Sequence, residues 1–397
     1  MVMLLLKKSI KSIQNRLNEF FKELECEYTN ACASAFTKAR SKLLHTAFIE
    51  LNQKAIVDIM YNDESYKKYK EFRLCAIDGS KLRLPDEPSI REHFGTRRYA
   101  NQVAETNGKH SYAMVSVCYD LLNKIAISSV IDSGEVYELD LIQKHIGHRQ
   151  TNDLWLMDRL YGNYLAMSRL KANNINFVIR CSKTSFSCVK AMFKNSSCDS
   201  SIVTIDVTAK QRQRVEQLGL PNQIKVRLVR VILDNGTVEV LVTSLLDEEL
   251  YPSSEFKDLY WKRWGIETFF DRIKNRLELQ HFTGKTVESV MQDFFATIFI
   301  SGLESILTDD ANEILEQKSS NNRYPQIVNK SVSFNTIKNH VVELIDQDFD
   351  TDILFQRLTE LFLSNPVTVR NSRQVPRKNI STRARAYYYK DIKKRNF

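Results

Sequence analysis

The sequence predicts an α/β fold in which a central sheet is surrounded by helices, with helical regions at both ends of the chain. Short runs rich in apolar and β-branched residues follow one another between residues 72 and 131, and they predict consecutive strands. Helical and strand patterns then alternate up to residue 181, as in a sheet whose parallel strands are joined by helices. A chain of 397 residues that is 43% hydrophobic can bury a core of this size.

The N-terminal region, residues 1–68, is predicted to be helical. Apolar residues recur at helical spacing from Ile10 to Leu24, and residues 9–28 contain neither Gly nor Pro. The opening apolar run, residues 1–6, is shorter than a membrane span or the apolar region of a signal peptide. We therefore expect a packed helical region without a membrane anchor.

Residues 69–180 carry the pattern of the central sheet. The run FRLCAI is apolar, and Asp78-Gly79-Ser80 after it predicts a turn into a second strand. The predicted elements are strands at 72–77, 81–84, 111–119 and 124–131, a helix at 135–147, and strands at 154–157 and 175–181 with a helix between them. A meander followed by alternating helix and strand is the order of a ribonuclease-H-like sheet.

A β-rich block, residues 180–250, interrupts this order. Three stretches in it alternate apolar and polar residues with a period of two, and Asp234-Asn235-Gly236 predicts a tight hairpin turn between the last two. We interpret the block as an insertion between the last strand of the sheet and the helical stretch that begins at Tyr260.

Two aspartates each follow an apolar run that predicts a strand: Asp78 after residues 72–77, and Asp158 after residues 154–157. Strand ends are where open α/β sheets place their chemistry. An isolated Asp at such a position is also a common turn former or helix N-cap. Carboxylates of this kind suit Mg²⁺, which prefers hard oxygen ligands and leaves room for water and phosphate oxygens.

Residues 260–285 combine an aromatic hydroxyl, cations and carboxylates at helical spacing. Steps of three, four, four and three residues place one set on a single helix face: Tyr260, Arg263, Glu267, Asp271 and Lys274. Apolar residues on the flanks are expected to pack the helix down: Trp264, Ile266, Phe269, Phe270, Ile273 and Leu277. The face fits either a solvated surface with i,i+4 ion pairs or part of a catalytic site whose third carboxylate is Glu267.

The spacing of Tyr260, Arg263, Glu267 and Lys274 resembles the signature of the DDE transposases of bacterial insertion sequences, in the branch of insertion sequence family four with a Tyr-Arg-Glu-Lys pattern. The phrases CAIDGSKLRLP, HFGTRRYANQ and LWLMDRLYGNY resemble the segments around that family's first two acidic residues. The resemblance covers about residues 70–300. Where the family usually has Gly or Ala shortly after the second Asp, this chain has Leu160. Despite this departure, Asp158 is assigned as the second acidic residue, with Asp153 as the alternative.

The resemblance implies a metal-dependent DNA transposase. Asp78, Asp158 and Glu267 would hold two Mg²⁺ ions, which Mn²⁺ could replace, for nicking at the element ends and transfer of the freed 3′-hydroxyl to target DNA. The residues implied to position phosphates are Tyr260, Arg263, Lys274, Arg97 and Arg98. The loop that contains Arg97 and Arg98 fits a plain solvated loop equally well.

These patterns divide the chain into the helical N-terminal region (1–68), a catalytic domain (69–308) that contains the insertion, and a helical C-terminal region (309–397). In the resembling family an N-terminal helical region binds the element ends. The matching candidates for phosphate contact in this chain are Arg16, Lys38, Arg40 and Lys42. A helical dimerisation or packing module is an equally good interpretation of this region.

The net charge is concentrated at the C-terminal end. The chain carries a formal net charge of +9, and residues 366–397 contain ten Lys or Arg residues against one acid, Asp391, so this tail accounts for all of the excess. Tyr387, Tyr388 and Tyr389 lie among the cations. Such a segment is expected to bind a polyanion through salt-dependent phosphate contacts, with aromatic stacking. The alternative is a solubilising tail.

Double-stranded DNA, as element ends and as target, is the predicted partner, together with self-association in a synaptic complex and no membrane. Seven cysteines without a C-x-x-C pair fit reduced thiols in the bacterial cytoplasm, at the nucleoid. The apolar run at 294–307 contains Glu304 and is interpreted as a buried helix. A nuclease that does not join strands, or a non-catalytic DNA-binding regulator of transposition, would share much of this pattern.

Overall fold

The computed structural model describes residues 1–9, 11–24, 31–97, 110–194, 198–344 and 350–369. The chain divides into two compact units. The helical unit comprises Met1–Ile56, Leu84–His93 and Ile273–Phe397, and the sheet unit comprises Val57–Arg83 and Phe94–Arg272. Because each unit joins segments that are distant in sequence, neither is a continuous stretch of the chain.

The secondary structure of the described residues is numbered in chain order. The helices are α1 (Val2–Leu6), α2 (Ile13–Glu23), α3 (Ala33–Arg40), α4 (Thr46–Asn52), α5 (Asp58–Met60), α6 (Pro88–Phe94), α7 (Ile142–Ile146), α8 (Tyr164–Ala172), α9 (Ser187–Lys194), α10 (Ala209–Gln217), α11 (Phe256–Trp261), α12 (Trp264–Asp271), α13 (Val287–Leu307), α14 (Asp309–Lys318), α15 (Lys330–Asn339) and α16 (Thr351–Ser364). The strands are β1 (Arg73–Arg83), β2 (Thr96–Arg97), β3 (His110–Asp120), β4 (Ala126–Ser133), β5 (Asp153–Met157), β6 (Asn176–Arg180), β7 (Ser200–Asp206), β8 (Gln223–Ile232), β9 (Val238–Thr243), β10 (Gln326–Val328) and β11 (Pro366–Thr368).

The sheet unit is built on one mixed sheet that contains strands β1 to β9. β3 pairs antiparallel with both β1 and β4, so the first three long strands form a meander. β5 lies parallel to β1, and β6 lies parallel to β5 after the crossover helix α8. Three antiparallel strands followed by two parallel strands on the other side of β1 make the ribonuclease-H-like order, which confirms the predicted α/β fold class.

The β-rich block extends the same sheet beyond β6. β9 pairs antiparallel with β6, β8 with β9, and β7 with β8. The predicted hairpin joins β8 to β9 and closes at the pair Ile232 and Val238. Gly236 in its turn has a φ angle of 78°, a left-handed conformation that glycine adopts without steric cost.

The central strands are buried on both faces because successive side chains of a strand point to opposite sides of the sheet. Trp155 and Met157 of β5 lie in the apolar core that contains Leu170 of α8. Leu156, between them, lies in the second core, which contains Phe256 of α11. The packing on both sides holds β5 in place, so the position of the residue that follows it is well defined.

The helix α13 forms the centre of the helical unit and packs against α1, α4 and α15. Its 21 residues are long and apolar enough to cross a membrane by length and composition, but most of the helix is buried within the protein. Glu304 is fully buried, and its carboxylate binds Lys330 at 2.9 Å and the hydroxyl of Ser333. The buried helix predicted at 294–307 is therefore confirmed.

Two of the four cations considered for phosphate contact in the N-terminal region are buried. Arg40 is 6% exposed, and its guanidinium forms an ion pair with Asp293 at 2.9 Å. Arg16 is 5% exposed and donates to a backbone carbonyl of α1. These guanidinium groups stabilise the helical unit, which favours the packing interpretation for Arg16 and Arg40. Lys38 and Lys42 are exposed and stay candidates.

The turn predicted at Asp78-Gly79-Ser80 is wrong, because β1 continues through these residues as an 11-residue strand. β3 pairs with β1 from Cys75 to Arg83, and Asp78 lies opposite Val117. The backbone hydrogen bonds of this long ladder outweigh the local turn preference of Asp-Gly-Ser. Asp78 nevertheless follows directly on the parallel pairing of β1 with β5, which stops at Ile77.

Two other element boundaries differ from the prediction. The helix expected at 135–147 is a 3-10 turn, Glu138–Leu141, followed by the short helix α7. The first residues of the segment predicted as a basic tail form β11, which pairs with β10 in the helical unit. Residues 370–397, which carry the charges of that tail and its three tyrosines, lie outside the described residues.

Candidate active site

Asp78 and Asp158 lie next to each other because of the parallel register of β1 and β5. Ile77 pairs with Met157 as the last pair of that ladder. Asp78 is the next residue of β1, and Asp158 is the first residue after β5. Adjacent strands are about 4.8 Å apart, which brings the two residues to one edge of the sheet. The Asp78 side chain is 20% exposed.

Asp158 also serves as the N-cap of the 3-10 turn Arg159–Tyr161. Its Oδ1 accepts a hydrogen bond of 2.7 Å from the backbone N–H of Leu160. This bond orients the carboxylate at the end of β5 and uses one of its two oxygens. The capping and ligand interpretations of Asp158 are therefore compatible with each other.

Asp153, the alternative to Asp158, lies at the opposite end of β5 and is fully buried. Its two carboxylate oxygens accept hydrogen bonds of 2.6 and 2.9 Å from Arg73, itself buried, and Trp155 Nε1 donates a further bond of 3.2 Å. A carboxylate with both oxygens occupied by a buried guanidinium has a structural role. Asp158 is the residue that the fold places beside Asp78.

Glu267 reaches the same region from α12, which packs against β1. The Phe269 ring on α12 lies 4.5 Å from the Tyr119 ring on β3, measured between centroids. Arg263 donates a hydrogen bond of 2.6 Å to Glu267 Oε1, and its Nη1 lies 3.9 Å from Asp78 Oδ2. One guanidinium thus connects the first and third acidic residues that the sequence predicted.

Tyr260 joins α11 to the end of β5. Its hydroxyl donates a hydrogen bond of 3.0 Å to the backbone carbonyl of Met157, the residue before Asp158. The Tyr260 ring lies 5.8 Å from the Arg263 guanidinium. Tyr260 and Arg263 therefore both position groups around the carboxylates.

The stretch that begins at Tyr260 differs from its prediction in two respects. It is not one helix: α11 ends at Trp261, α12 begins at Trp264, and a π-helical turn, Arg272–Arg276, follows α12. Nor is its polar face uniformly solvated, because Tyr260 is only 6% and Arg263 only 3% exposed, whereas Asp271 is exposed. Tyr260 donates to the carbonyl of Met157, and Arg263 pairs with Glu267 and Asp78. Of these contacts, sequence spacing alone indicates only the i,i+4 pair. Trp264, expected to pack inward, is 40% exposed.

The other three predicted phosphate-binding residues, Lys274, Arg97 and Arg98, come from different parts of the chain. Lys274 lies in the π-helical turn, in the part of it that belongs to the helical unit. Arg97 is the last residue of β2, and Arg98 lies outside the described residues. The roles of these three cations stay predictions.

A fourth carboxylate, Glu138, lies at this edge of the sheet and was not predicted. It begins the 3-10 turn after β4, and its Oε1 accepts a hydrogen bond of 2.9 Å from the hydroxyl of Tyr161. A Cβ atom at Gly79 would lie 2.4 Å from Glu138 Cδ, so the carboxylate is in contact with the backbone next to Asp78. Acidic residues surround Glu138 in the sequence, and no pattern distinguishes it from them.

The crowding of carboxylates changes their titration. Burial and the negative charge of Glu138 raise the pKa of the Asp78 carboxyl to about 7, while Arg263 acts in the opposite direction. Burial, together with the charge of Asp158, also raises the pKa of Glu138. Burial is the largest cause of both shifts, and the neighbouring carboxylates add to it, whereas Arg263 acts against the shift of Asp78 and Lys81 against that of Glu138.

This donor set fits a divalent cation. Asp78, Glu138 and Asp158 offer hard oxygen ligands, and their mutual repulsion would be relieved by an ion of charge +2. Among the described residues, no three carboxylate, imidazole or thiolate groups already converge on a single ion position. Glu267 is turned toward Arg263. Binding would therefore require rotation of these side chains about a fixed backbone.

The raised pKa of Asp78 predicts a pH dependence of stability in the metal-free protein. Between pH 3.8, the ordinary pKa, and about 7, the folded protein keeps a proton that the unfolded chain has lost. The free energy of unfolding should therefore fall as the pH rises through this window. Asp78→Asn should flatten the dependence and raise the melting temperature at pH 7.5, as measured by calorimetry in EDTA.

Glu249→Gln, at an exposed position, is the matched control and should leave the pH profile unchanged. Glu138 titrates in the same direction, so some slope should persist in Asp78→Asn. If wild type and Asp78→Asn showed the same dependence of stability on pH, the raised pKa of Asp78 would be contradicted.

Comparisons with known proteins bear on this arrangement. The family described as Transposase DDE domain matches residues 69–303. Transposase InsG for insertion sequence element IS4, from Escherichia coli (strain K12), is 25% identical over 275 residues, which cover 68% of this chain and 60% of the relative. The chain thus spans about three fifths of the length of this curated relative. A structure of the piggyBac transposase synaptic complex with hairpin DNA is 10% identical, with a TM-score of 0.45 over 100% of this chain and 81% of that chain.

The family match covers more than half of the chain and includes Asp78, Asp158 and Glu267. It begins four residues before β1 and ends within α13. The predicted membership of a DDE transposase family is therefore confirmed, and the chain belongs to the family defined by the Transposase DDE domain.

Proposed function

We propose that this protein is a DNA transposase that cuts the ends of an insertion sequence and joins the freed 3′-hydroxyl ends to target DNA. The observation that carries the proposal is the register of β1 and β5, which puts Asp78 and Asp158 side by side, with Glu267 connected to Asp78 through Arg263. The family membership supports the reaction class and implies use of a divalent metal.

In this proposal Asp78, Asp158 and Glu267 hold two Mg²⁺ ions, for which Mn²⁺ can substitute, and the bound ions would activate the attacking oxygen and stabilise the leaving oxygen. The backbone that leads to Asp78 and Asp158 is held in place by the buried residues 73–77 of β1 and 153–157 of β5, so both carboxylates project from fixed positions. Asp158 is oriented by the N–H of Leu160. The edge of the sheet thus supplies a rigid frame for in-line attack at a phosphate.

Arg263 has two functions in the proposed site. It offsets part of the negative charge of Asp78 and Glu267 before any ion is bound. Its Nε is buried and has no hydrogen-bond partner among the described residues. A phosphate oxygen that approached the carboxylates with a metal ion would meet a guanidinium with donor capacity to spare. Lys274, Arg97 and Arg98 are further candidates for phosphate contact.

Two exposed tryptophans lie at the junction of α11 and α12. Trp261 is 66% exposed and Trp264 is 40% exposed, with ring centroids 6.1 Å apart. Exposed aromatic rings beside a phosphoryl-transfer site can stack on nucleobases that leave the duplex. We infer that these rings contact DNA close to the cleaved phosphate.

The test of the proposed function uses a DNA duplex that carries the sequences flanking the coding region, with and without a target plasmid. In Mg²⁺ the wild-type protein should cleave at the ends and join the 3′-hydroxyls to the plasmid. Glu267→Gln should bind the ends but cleave at least about a hundredfold more slowly, because it removes one ligand charge at nearly constant volume. Glu216→Gln on α10, an exposed position, is the control and should cleave normally.

Other outcomes distinguish the alternatives. Cleavage without joining would indicate a nuclease, and end binding without cleavage by the wild type would indicate a regulator of transposition. Cleavage by Glu267→Gln within tenfold of wild type would exclude Glu267 as a ligand.

The basic tail supplies a separate prediction about DNA affinity. Because Pro366–Thr368 belong to β11, the tail should be removed after Val369, which eliminates all ten of its cations and Asp391. Binding to non-specific duplex should then weaken, and the slope of log affinity against log salt should become shallower. Fluorescence anisotropy at several salt concentrations measures both quantities. An unchanged slope would show that the tail does not contact DNA.

We propose the bacterial cytoplasm, at the nucleoid, as the location of the protein. Its six described cysteines are free thiols, as expected in a reducing compartment. Joining two ends of one element requires both ends in the same complex, so we propose that two copies assemble on the DNA as a synaptic complex. A membrane is not part of this proposal.

A further inference from the structure

We propose that Glu138 is an additional ligand for the divalent cation held by Asp78 and Asp158, beyond the three acidic residues that the family signature supplies. This inference rests on the proposed function, because it concerns the same metal. It assigns to the edge of the sheet a four-carboxylate set in which one member comes from the 3-10 turn between β4 and α7.

The position of Glu138 follows from the fold. The 3-10 turn Glu138–Leu141 returns the chain from β4 toward β5 and places the carboxylate in contact with the backbone of Gly79. The Oε1 atom lies 2.7 Å from where a Cβ at Gly79 would be. Any side chain at residue 79 would displace Glu138, so the glycine directly after Asp78 makes room for the Glu138 carboxylate.

The hydrogen bond that Glu138 accepts holds it without neutralising it. It comes from a neutral donor, the hydroxyl of Tyr161, at 2.9 Å. The site guanidinium, Arg263, is engaged with Glu267 and Asp78. Lys81 offsets part of the charge of Glu138. A bound cation would supply further balancing charge to this half-buried carboxylate, which lies near Asp78 and Asp158.

A purely structural role for Glu138 makes a different prediction. If Glu138 served only to accept the hydrogen bond of Tyr161, the neutral amide oxygen in Glu138→Gln could still accept it, though more weakly than a carboxylate. Tyr161→Phe would then have the larger effect, because it removes the donor. If Glu138 is a ligand, Glu138→Gln should weaken metal binding more than Tyr161→Phe does, because the cation is held by the charge of the carboxylate at residue 138.

The experiment measures metal binding on the full-length protein without DNA. Mn²⁺ is titrated and followed by the loss of its free electron paramagnetic resonance signal, and Fe²⁺ with ascorbate is used to cut the backbone near the bound ion. Glu138→Gln should bind Mn²⁺ about tenfold or more weakly than wild type and should lose Fe²⁺-dependent cleavage at β1 and β5. Tyr161→Phe should stay within about threefold. Glu138→Ala provides the same comparison if the Gln variant folds poorly.

The outcomes separate this inference from the proposed function. If Asp158→Asn weakens Mn²⁺ binding and Glu138→Gln binds within twofold of wild type, Glu138 is not a ligand and the proposed function stands. If Glu138→Gln and Tyr161→Phe weaken binding equally, Glu138 acts by positioning and the ligand assignment is wrong. If wild type shows neither Mn²⁺ binding nor Fe²⁺ cleavage at this edge, both proposals fail.

Discussion

Asp158→Asn is expected to abolish DNA cleavage and leave the fold intact, whereas Asp153→Asn is expected to unfold the sheet unit. Asparagine at 158 can still accept the hydrogen bond from the N–H of Leu160, and it reduces the repulsion with Asp78. Its melting temperature in EDTA should therefore equal or exceed that of the wild type. Cleavage in Mg²⁺ should fall at least about a hundredfold because a ligand charge is lost.

The substitution at Asp153 acts on a different structure. Asp153 and Arg73 form an ion pair in which both side chains are almost fully buried, and neutralising one leaves the other charge without compensation. Removing one partner of such a pair costs about 3–5 kcal/mol. Thermal melts and single-turnover cleavage on the two variants check both expectations. A stable but inactive Asp153→Asn beside an active Asp158→Asn would reverse the assignment of the second ligand.

The choice between Asp153 and Asp158 cannot be made from the sequence alone. Both lie near the short apolar run 154–157, and both were compatible with the family pattern. What separates them is the register of β5 against β1, which places Asp153 beside Arg73 and Asp158 beside Asp78. Strand periodicity predicts which residues form a strand, but the partner of each residue depends on contacts distant in sequence.

The same limit explains the other differences. The β-α-β unit of β5, α8 and β6 follows from local patterns and was predicted correctly. The turn at Asp78-Gly79-Ser80 was predicted from local preference, which the long pairing with β3 overrides. Glu138 reaches the site only because β4 and β5 lie on opposite sides of the strand pair β1 and β3. Because only the topology of the sheet brings Glu138 close to Asp78, no spacing of residues around Asp78 in the sequence indicates it.

Because Arg263 is buried, its substitution should lower stability more than its position on a polar helix face would predict. A solvated helix stripe would tolerate Arg263→Ala with little change in stability, since exposed substitutions usually fall within about 0.5 kcal/mol. Arg263 is instead 3% exposed, donates a charge-assisted hydrogen bond to Glu267, and forms an ion pair with Asp78 at 3.9 Å. Its guanidinium also lies 5.4 Å from the exposed Trp264 ring. Loss of these contacts should lower the free energy of unfolding by about 1–3 kcal/mol, with the partial exposure of Glu267 keeping the loss modest.

Arg230→Ala provides a matched control for that effect. Arg230 is also largely buried in the sheet unit, pairs with Asp199 at 3.8 Å, and has an Nε without a hydrogen-bond partner among the described residues. Arg230 lies on β8, where Val229 and Val231 face the apolar core that contains Tyr260, so the Arg230 side chain lies on the other face of the sheet. Arg230→Ala should lower the melting temperature but leave the cleavage rate of the folded protein unchanged.

Arg263→Ala is therefore expected to lower both the melting temperature and the cleavage rate, the latter by about tenfold to a thousandfold. Without Arg263 the carboxylates repel one another more strongly in the metal-free protein, so Mg²⁺ should raise the melting temperature of Arg263→Ala more than that of wild type. Arg263→Lys should recover part of the stability but little of the rate, because one ammonium cannot engage two carboxylates and a phosphate as a planar guanidinium can. Cleavage is measured well below the melting temperature of each variant, with and without Mg²⁺ preincubation. A wild-type rate in Arg263→Ala, together with a Mg²⁺ effect no larger than in wild type, would confine Arg263 to a structural role.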